Sequence, residues 1–190
     1  MATGSSGRTN GQGQPVGILK PLLRCMEVSL EADARAGGEW IRADNSQRYN
    51  LLLEPLCRLL QSEFSNTNNS PSDKFASIVE GKGSSDGNVV GTIVALASAA
   101  GDEQLWKPLN HSVLQAASHE DRSDVRRAGV SCLLELVRTL GEEYMVLLPE
   151  CLPVLSELLE DDDERISGAA RDCIELSEEL LGESLEDSLR

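Results

Sequence analysis

The sequence predicts an all-α fold, a solenoid of antiparallel helix pairs behind a disordered N-terminus. Three observations lead there. Apolar residues recur at +3 and +4 through most of the chain, which is the period of one helix face. Aromatics make up only 3% of the 190 residues, so the core must be built from Leu, Val, Ile and Ala. That suits close-packed helices better than a sheet sandwich, where aromatic and β-branched residues are favoured. Finally, the stretch from Asp102 to Gly182 repeats itself at a spacing of about 41 residues. At that spacing Pro108 falls on Pro149, Val113 on Val154, Leu114 on Leu155 and Val125 on Ile166. Cys132 falls on Cys173, Leu140 on Leu181 and Gly141 on Gly182.

A period of roughly 40–47 residues that holds two helices is that of HEAT-type repeats. Residues 1–15 are mostly Gly, Ser, Gln, Asn and Thr and cannot bury enough apolar surface to offset ordering, so they read as a disordered tail. Residues 16–48 read as a helix plus a linker. The helix carries Leu19, Leu22, Leu23, Met26 and Leu30, Pro21 falls early in it, and Gly37-Gly38 stops it. In the linker, Trp40 is expected to pack back as an anchor.

Residues 49–101 read as an interrupted repeat with a loop insertion at 64–87. Leu52, Leu56, Leu59 and Leu60 share one side of its first helix, and Pro55 is expected to kink or split that helix. A short turn is expected at 75–80. Val89, Ile93, Leu96 and Ala100 line the second helix, which Gly101 ends. The next repeat spans 102–141, with Asp102 as N-cap. Trp106, Leu109, Val113 and Ala116 face inward from its first helix. Val125, Ala128, Cys132, Leu133, Leu136 and Leu140 do so from its second.

Residues 142–190 form the terminal repeat with an acidic cap. Met145, Leu148, Leu152, Leu155 and Leu159 make its first stripe. Pro149 and Pro153 demand a kink. The run Glu160, Asp161, Asp162, Asp163, Glu164 forms the turn and places negative charge at the next helix N-terminus, where it is favoured. That helix buries Ile166, Ala169, Cys173, Leu176 and Leu180. Residues 183–190 are expected to fray.

Charge narrows the function. The net charge is −15, and from Gly141 onward there are 16 acidic and 3 basic residues, while the first 140 are nearly neutral. Such a half repels phosphate backbones and suits either a basic protein surface or a solvated outer face. No window of 18 apolar residues suggests a membrane span, and the first residues lack the pattern of a secretory signal. Five scattered cysteines without a C-x-x-C pair read as reduced core thiols. His111 and His119 offer no metal-ligand spacing. GKGSS at 81–85 lacks the phosphate-loop spacing, and the acid run lacks the calcium-loop pattern. No nucleophile–base–orienter arrangement can be assembled, so the chain reads as a non-enzyme with no cofactor and no small-molecule substrate. Arg122, Arg126 and Arg127 cluster at an intra-repeat turn. They suit pairing with Glu120, Asp121, Asp124 or acids of the next repeat, or contact with a partner. Candidate partner contacts are thus Arg122, Arg126, Arg127, Glu160, Asp161, Asp162, Asp163 and Glu164.

The segments DEQLWKPLN, DVRRAG, EEYMVLLPECLPVLSELLEDDDE and ELLGESLEDSL carry a more specific resemblance. They resemble the C-terminal end of the very large HEAT-repeat subunit of the small-subunit processome, the small nucleolar RNA-associated HEAT-repeat family. The similarity is clear over 102–190, looser over 49–101 and slight before that. It implies a nucleolar, architectural protein of ribosome biogenesis, active in small-subunit rRNA maturation and rDNA transcription. The implied partners are processome proteins and a small nucleolar ribonucleoprotein, with pre-rRNA contact indirect. Without the resemblance, the same fold would suit a HEAT adaptor elsewhere in the cell.

Overall fold

The computed structural model describes residues 16–43, 46–61 and 87–185. Among them there is no strand. The order is α1 (Val16–Arg35), α2 (Glu39–Arg42), α3 (Gln47–Gln61), α4 (Val89–Ala100), α5 (Glu103–Ala117) and α6 (Ser123–Leu140). A 3-10 segment (Gly141–Leu147), α7 (Leu148–Leu158) and α8 (Glu164–Leu181) complete it. The expected tail at 1–15, the insertion up to residue 86 with its turn at 75–80, and the GKGSS string lie outside the described residues.

The helices stack in two layers. α1, α4, α6 and α8 pack side by side in one, and α3, α5 and the 3-10 segment with α7 form the other. Short links after α4, α5 and α7 place successive helices side by side, and stacked pairs bury one continuous apolar core, the α-solenoid arrangement. Side-chain caps start the helices. Asn88 accepts from the Gly91 N–H at 2.6 Å, Asp102 from Gln104 at 2.8 Å and Asp163 from Arg165 at 3.0 Å. Gly101 and Gly182 end α4 and α8 with left-handed backbone at φ 51° and 71°, where a side chain would be strained.

Buried polar groups tie neighbouring helices at single points. The Tyr49 hydroxyl donates to the Leu105 carbonyl at 2.7 Å, joining α3 to α5. Trp106 Nε1 donates to the Ala97 carbonyl at 2.9 Å, joining α5 back to α4. The Thr92 hydroxyl donates to the Asn88 carbonyl at 2.7 Å and lies 3.3 Å from the Leu23 carbonyl, where α4 meets α1. Each satisfies a group that would otherwise be costly to bury.

The period holds unequally. In α6 and α8, Val125, Cys132, Leu133 and Leu136 correspond at 41 residues to Ile166, Cys173, Ile174 and Ser177, and all eight are buried. The first helices drift. Val113 is buried while Val154 is half-buried, and Leu155 takes the inward place. The stripe that faces the core is Tyr144, Met145, Leu147, Leu148, Cys151, Leu155 and Leu158, with Leu152 and Leu159 at its margin. The cause is the 3-10 turn over 141–147, which has three residues per turn and so rotates α7 about its axis. The kink demanded by Pro149 and Pro153 thus takes the form of a 3-10 start, with Pro149 in the first turn of α7 and Pro153 inside it.

Other expectations change. α3 runs unbroken through Pro55. Trp40 is 52% exposed, and its neighbour Ile41 is the buried anchor of α2. Asp33 fixes that short helix by accepting from the N–H groups of Trp40 and Ile41, both at 3.0 Å. Cys25 is exposed, unlike the other four cysteines. The start of the expected fraying segment is ordered: Glu178 Oε1 accepts from the Leu185 N–H at 2.7 Å, and Leu185 is buried.

Candidate functional site

The turns that link the two helices of a repeat hold the clustered charged residues. In the α5–α6 turn Arg122 pairs with Asp124, Nη2 to Oδ2 at 2.6 Å and Nε to Oδ1 at 3.2 Å. Arg126, one turn into α6, reaches the next repeat. Its Nε donates to Asp161 Oδ2 at 2.7 Å and its Nη2 to Asp161 Oδ1 at 3.3 Å. Its Nη1 donates to the carbonyls of His119 at 3.1 Å and Glu120 at 3.2 Å. One guanidinium therefore joins the turn of its own repeat to the turn of the following one. The planar fork suits this, because it binds a carboxylate with two donors and still has others for carbonyls.

Asp161 is held from the other side as well. Its Oδ1 accepts from the Asp163 N–H at 2.9 Å, and Asp163 in turn caps α8. The hydrogen bond from Arg126 holds the Asp161 carboxyl below the usual carboxylate range. Of the eight candidate contacts, Arg126 and Asp161 are thus engaged with each other. Arg122 is engaged with Asp124, and Asp163 with the helix N-terminus. Arg127 is half-buried with an interaction of its own. Glu160, Asp162 and Glu164 stand exposed on the turn.

A second polar cluster does not show in the sequence. Asn110 lies fully buried on α5. Its Oδ1 accepts from the Tyr144 hydroxyl at 2.9 Å, its Nδ2 donates to Glu150 Oε2 at 3.3 Å, and Cys151 Sγ lies between Oδ1 at 3.4 Å and the Leu147 carbonyl at 3.3 Å. The Tyr144 ring also meets Trp106, centroids 6.0 Å apart. The 41-residue register carries the one signal for it, since Asn110 and Cys151 hold equivalent places in successive repeats and touch. Burial pushes the Cys151 and Cys173 thiols up to about 12, and Cys57 and Cys132 move the same way. Thiols so placed are poor nucleophiles.

Among the described residues no group of three or more His, Cys, Asp or Glu is placed to hold a metal ion, and no helix is long and apolar enough to cross a membrane. His111 is exposed and His119 half-buried. The arrangement is one of struts between repeats with an acidic outer turn.

Known proteins are similar to this chain in sequence. No family model matches the chain. U3 small nucleolar RNA-associated protein 10 of Coccidioides immitis is 43% identical over 105 residues, 52% of this chain and 6% of that protein. HEAT repeat-containing protein 1 of Homo sapiens is 36% identical over 99 residues, 52% of this chain and 5% of that protein. The HEAT repeat-containing protein 1 homolog of Drosophila melanogaster is 30% identical over 145 residues, 76% of this chain and 6% of that protein. The chain thus spans about a twentieth of the length of these curated relatives. In its residues it is similar to these large proteins, two of which are named for their HEAT repeats.

Proposed function

We propose that the chain is a non-catalytic scaffold segment of ribosome biogenesis that works in the nucleolus. It contributes shape and docking surface to an assembly of processome proteins and a small nucleolar ribonucleoprotein, and its contact with pre-rRNA is indirect. The observation that carries this reading is the 43% identity over 105 residues to a protein named for its association with U3 small nucleolar RNA. The physical chemistry is compatible. Stacked repeats present extended surfaces for partners, and the acidic terminal repeat disfavours direct phosphate contact. Of the turn residues, Glu160, Asp162 and Glu164 are the best placed to meet a basic protein surface.

The test is to express the tagged chain in cells and purify it under mild conditions. Nucleolar signal with co-purifying processome proteins and U3 RNA is the expected outcome. Diffuse signal with neither would sink the proposal. Glu160→Lys combined with Asp162→Lys and Glu164→Lys should weaken recovery of protein partners without unfolding the chain, as read by circular dichroism.

A further inference from the structure

The two ends of the stack are finished differently. α1 leaves an apolar stripe of Ile18, Leu22 and Val28 exposed. At the other end the chain turns back after α8, and Leu185 folds into the core. One carboxylate oxygen holds that return. Glu178 Oε1 accepts from the Leu185 N–H at 2.7 Å and from the Ser184 hydroxyl at 3.2 Å. Ser184 itself is exposed and lies outside any helix. Glu183 precedes it, and Glu186 and Asp187 follow at +2 and +3.

We propose that Ser184 is a phosphorylation site for an acid-directed protein kinase, and that its phosphate releases Leu185 from the core. A serine set among carboxylates matches a kinase whose substrate groove is basic, since such grooves read the charge pattern around the acceptor. In the transfer, Ser184 Oγ bonds to the terminal phosphorus of a nucleoside triphosphate as the bond from that phosphorus to its bridging oxygen breaks. The nucleoside diphosphate leaves with the electron pair, and the hydroxyl proton passes to the base of the kinase. The same string, Ser-x-Glu-Asp, occurs at Ser118. There Arg126 donates to the carbonyls of His119 and Glu120 and fixes the backbone that a kinase must draw out. At Ser184 the bond to Glu178 is one that the transfer itself removes. The hydrogen that Ser184 donates is lost, and a charge of about −2 arrives beside the Glu178 carboxylate. Residues 175–187 hold six acidic and no basic side chains, and the last base of α6, Arg138, already pairs with Glu135. The phosphate therefore meets repulsion and no counter-charge. Swinging away relieves it and carries the next residue, Leu185, out of the core. Phosphorylation thus shifts the population toward the open form of this end.

Treatment of the full chain with an acid-directed serine kinase, a nucleoside triphosphate and magnesium tests the proposal. Tandem mass spectrometry maps the phosphate, and hydrogen exchange follows the Leu185 amide. Phosphate on Ser184 in preference to Ser118 is expected, with the Leu185 amide exchanging at least about tenfold faster. Ser184→Ala should take no phosphate there and keep that amide protected after the same treatment. Glu178→Gln retains an oxygen acceptor without the charge, so phosphate on Ser184 should accelerate exchange less in that variant. Transfer to Ser118 in place of Ser184, or a phosphorylated chain whose Leu185 exchanges as before, would overturn the proposal. So would an equal acceleration in Glu178→Gln.

Discussion

Arg126 and Asp161 show how one residue pair can couple two repeats. The Arg126 side chain is 21% exposed and that of Asp161 is 7%, so the pair is only partly screened by water. Arg126→Met should cost about 1–3 kcal/mol, the usual worth of hydrogen bonds to a charged group, as read from chemical denaturation. The Asp161 carboxyl is held low by Arg126 in the folded chain. Its contribution is therefore complete above the unfolded carboxylate range and is lost as pH falls through the lowered folded value. Wild type and Arg126→Met should accordingly differ most near neutrality and converge in acid. Asn110 gives a second test. Asn110→Ala leaves the Tyr144 hydroxyl buried without its acceptor and should cost about 1–3 kcal/mol, whereas Tyr144→Phe with Asn110→Leu should cost less than the single change. The thiols give a third. One of the five cysteines should react with a disulfide reagent in the native state, Cys25, and the rest only in denaturant. The role of Asn110 is hidden in the sequence because an Asn on a helix reads as solvent-facing until its partners, 34 and 41 residues away, are placed beside it.

Helices set the next scale, and here two glycines should respond oppositely. α6 crosses α5 at Gly129, where an added Cβ would lie 2.4 Å from the Ala117 nitrogen and 2.9 Å from the Ala116 carbonyl carbon. Backbone atoms cannot step aside as a flexible side chain does, so Gly129→Ala should destabilise despite its better helix propensity. Gly168 in α8 has nothing within 4 Å of that position. Gly168→Ala should stabilise by about 0.5–1 kcal/mol. Differential scanning fluorimetry on both variants reads the two signs directly. At this scale the sequence is informative where helices are regular. Asp102, Asp163, Gly101 and Gly182 mark helix ends by their chemistry, and the face of α6 follows from periodicity. In α8, by contrast, Ile166 and Cys173 are buried as expected, but Ala169, Leu176 and Leu180 lie at the margin and Ala170, Ile174 and Ser177 take the inward places. It fails at the 3-10 segment, because a stripe at +3, +4 spacing presumes 3.6 residues per turn, and Gly141–Leu147 does not have that geometry.

For the whole molecule, the charge asymmetry sets the response to salt. From Gly141 onward 16 acidic residues stand against 3 basic ones, an excess of negative charge that repels itself. Raising ionic strength from about 0.01 to 0.15 M shortens the screening length to roughly 8 Å and should raise the melting temperature. A melting temperature that falls with salt would mean that ion pairs such as Arg126–Asp161 dominate over repulsion. The two-layer solenoid is legible from the 41-residue register alone. The likeness to the large HEAT-repeat relatives is legible only from particular strings such as LWKPLN and YMVLLPECLP, because stacking physics is common to all such repeats. Neither the apolar outer stripe of α1 nor the inward fold of Leu185 can be read, since periodicity says that a residue is apolar and not whether a neighbour arrives to cover it.

The bond between Glu178 and the Leu185 N–H makes the stack directional. Stability in a linear array travels between neighbours, so an end that is sealed frays less than one that is open. Amide exchange should therefore be slowest away from α1 and fastest within it, a gradient running along the axis. A chain cut at Leu181 would lose the seal and exchange from both ends. The turn that follows α8 thus acts as a latch that holds this side of the array closed.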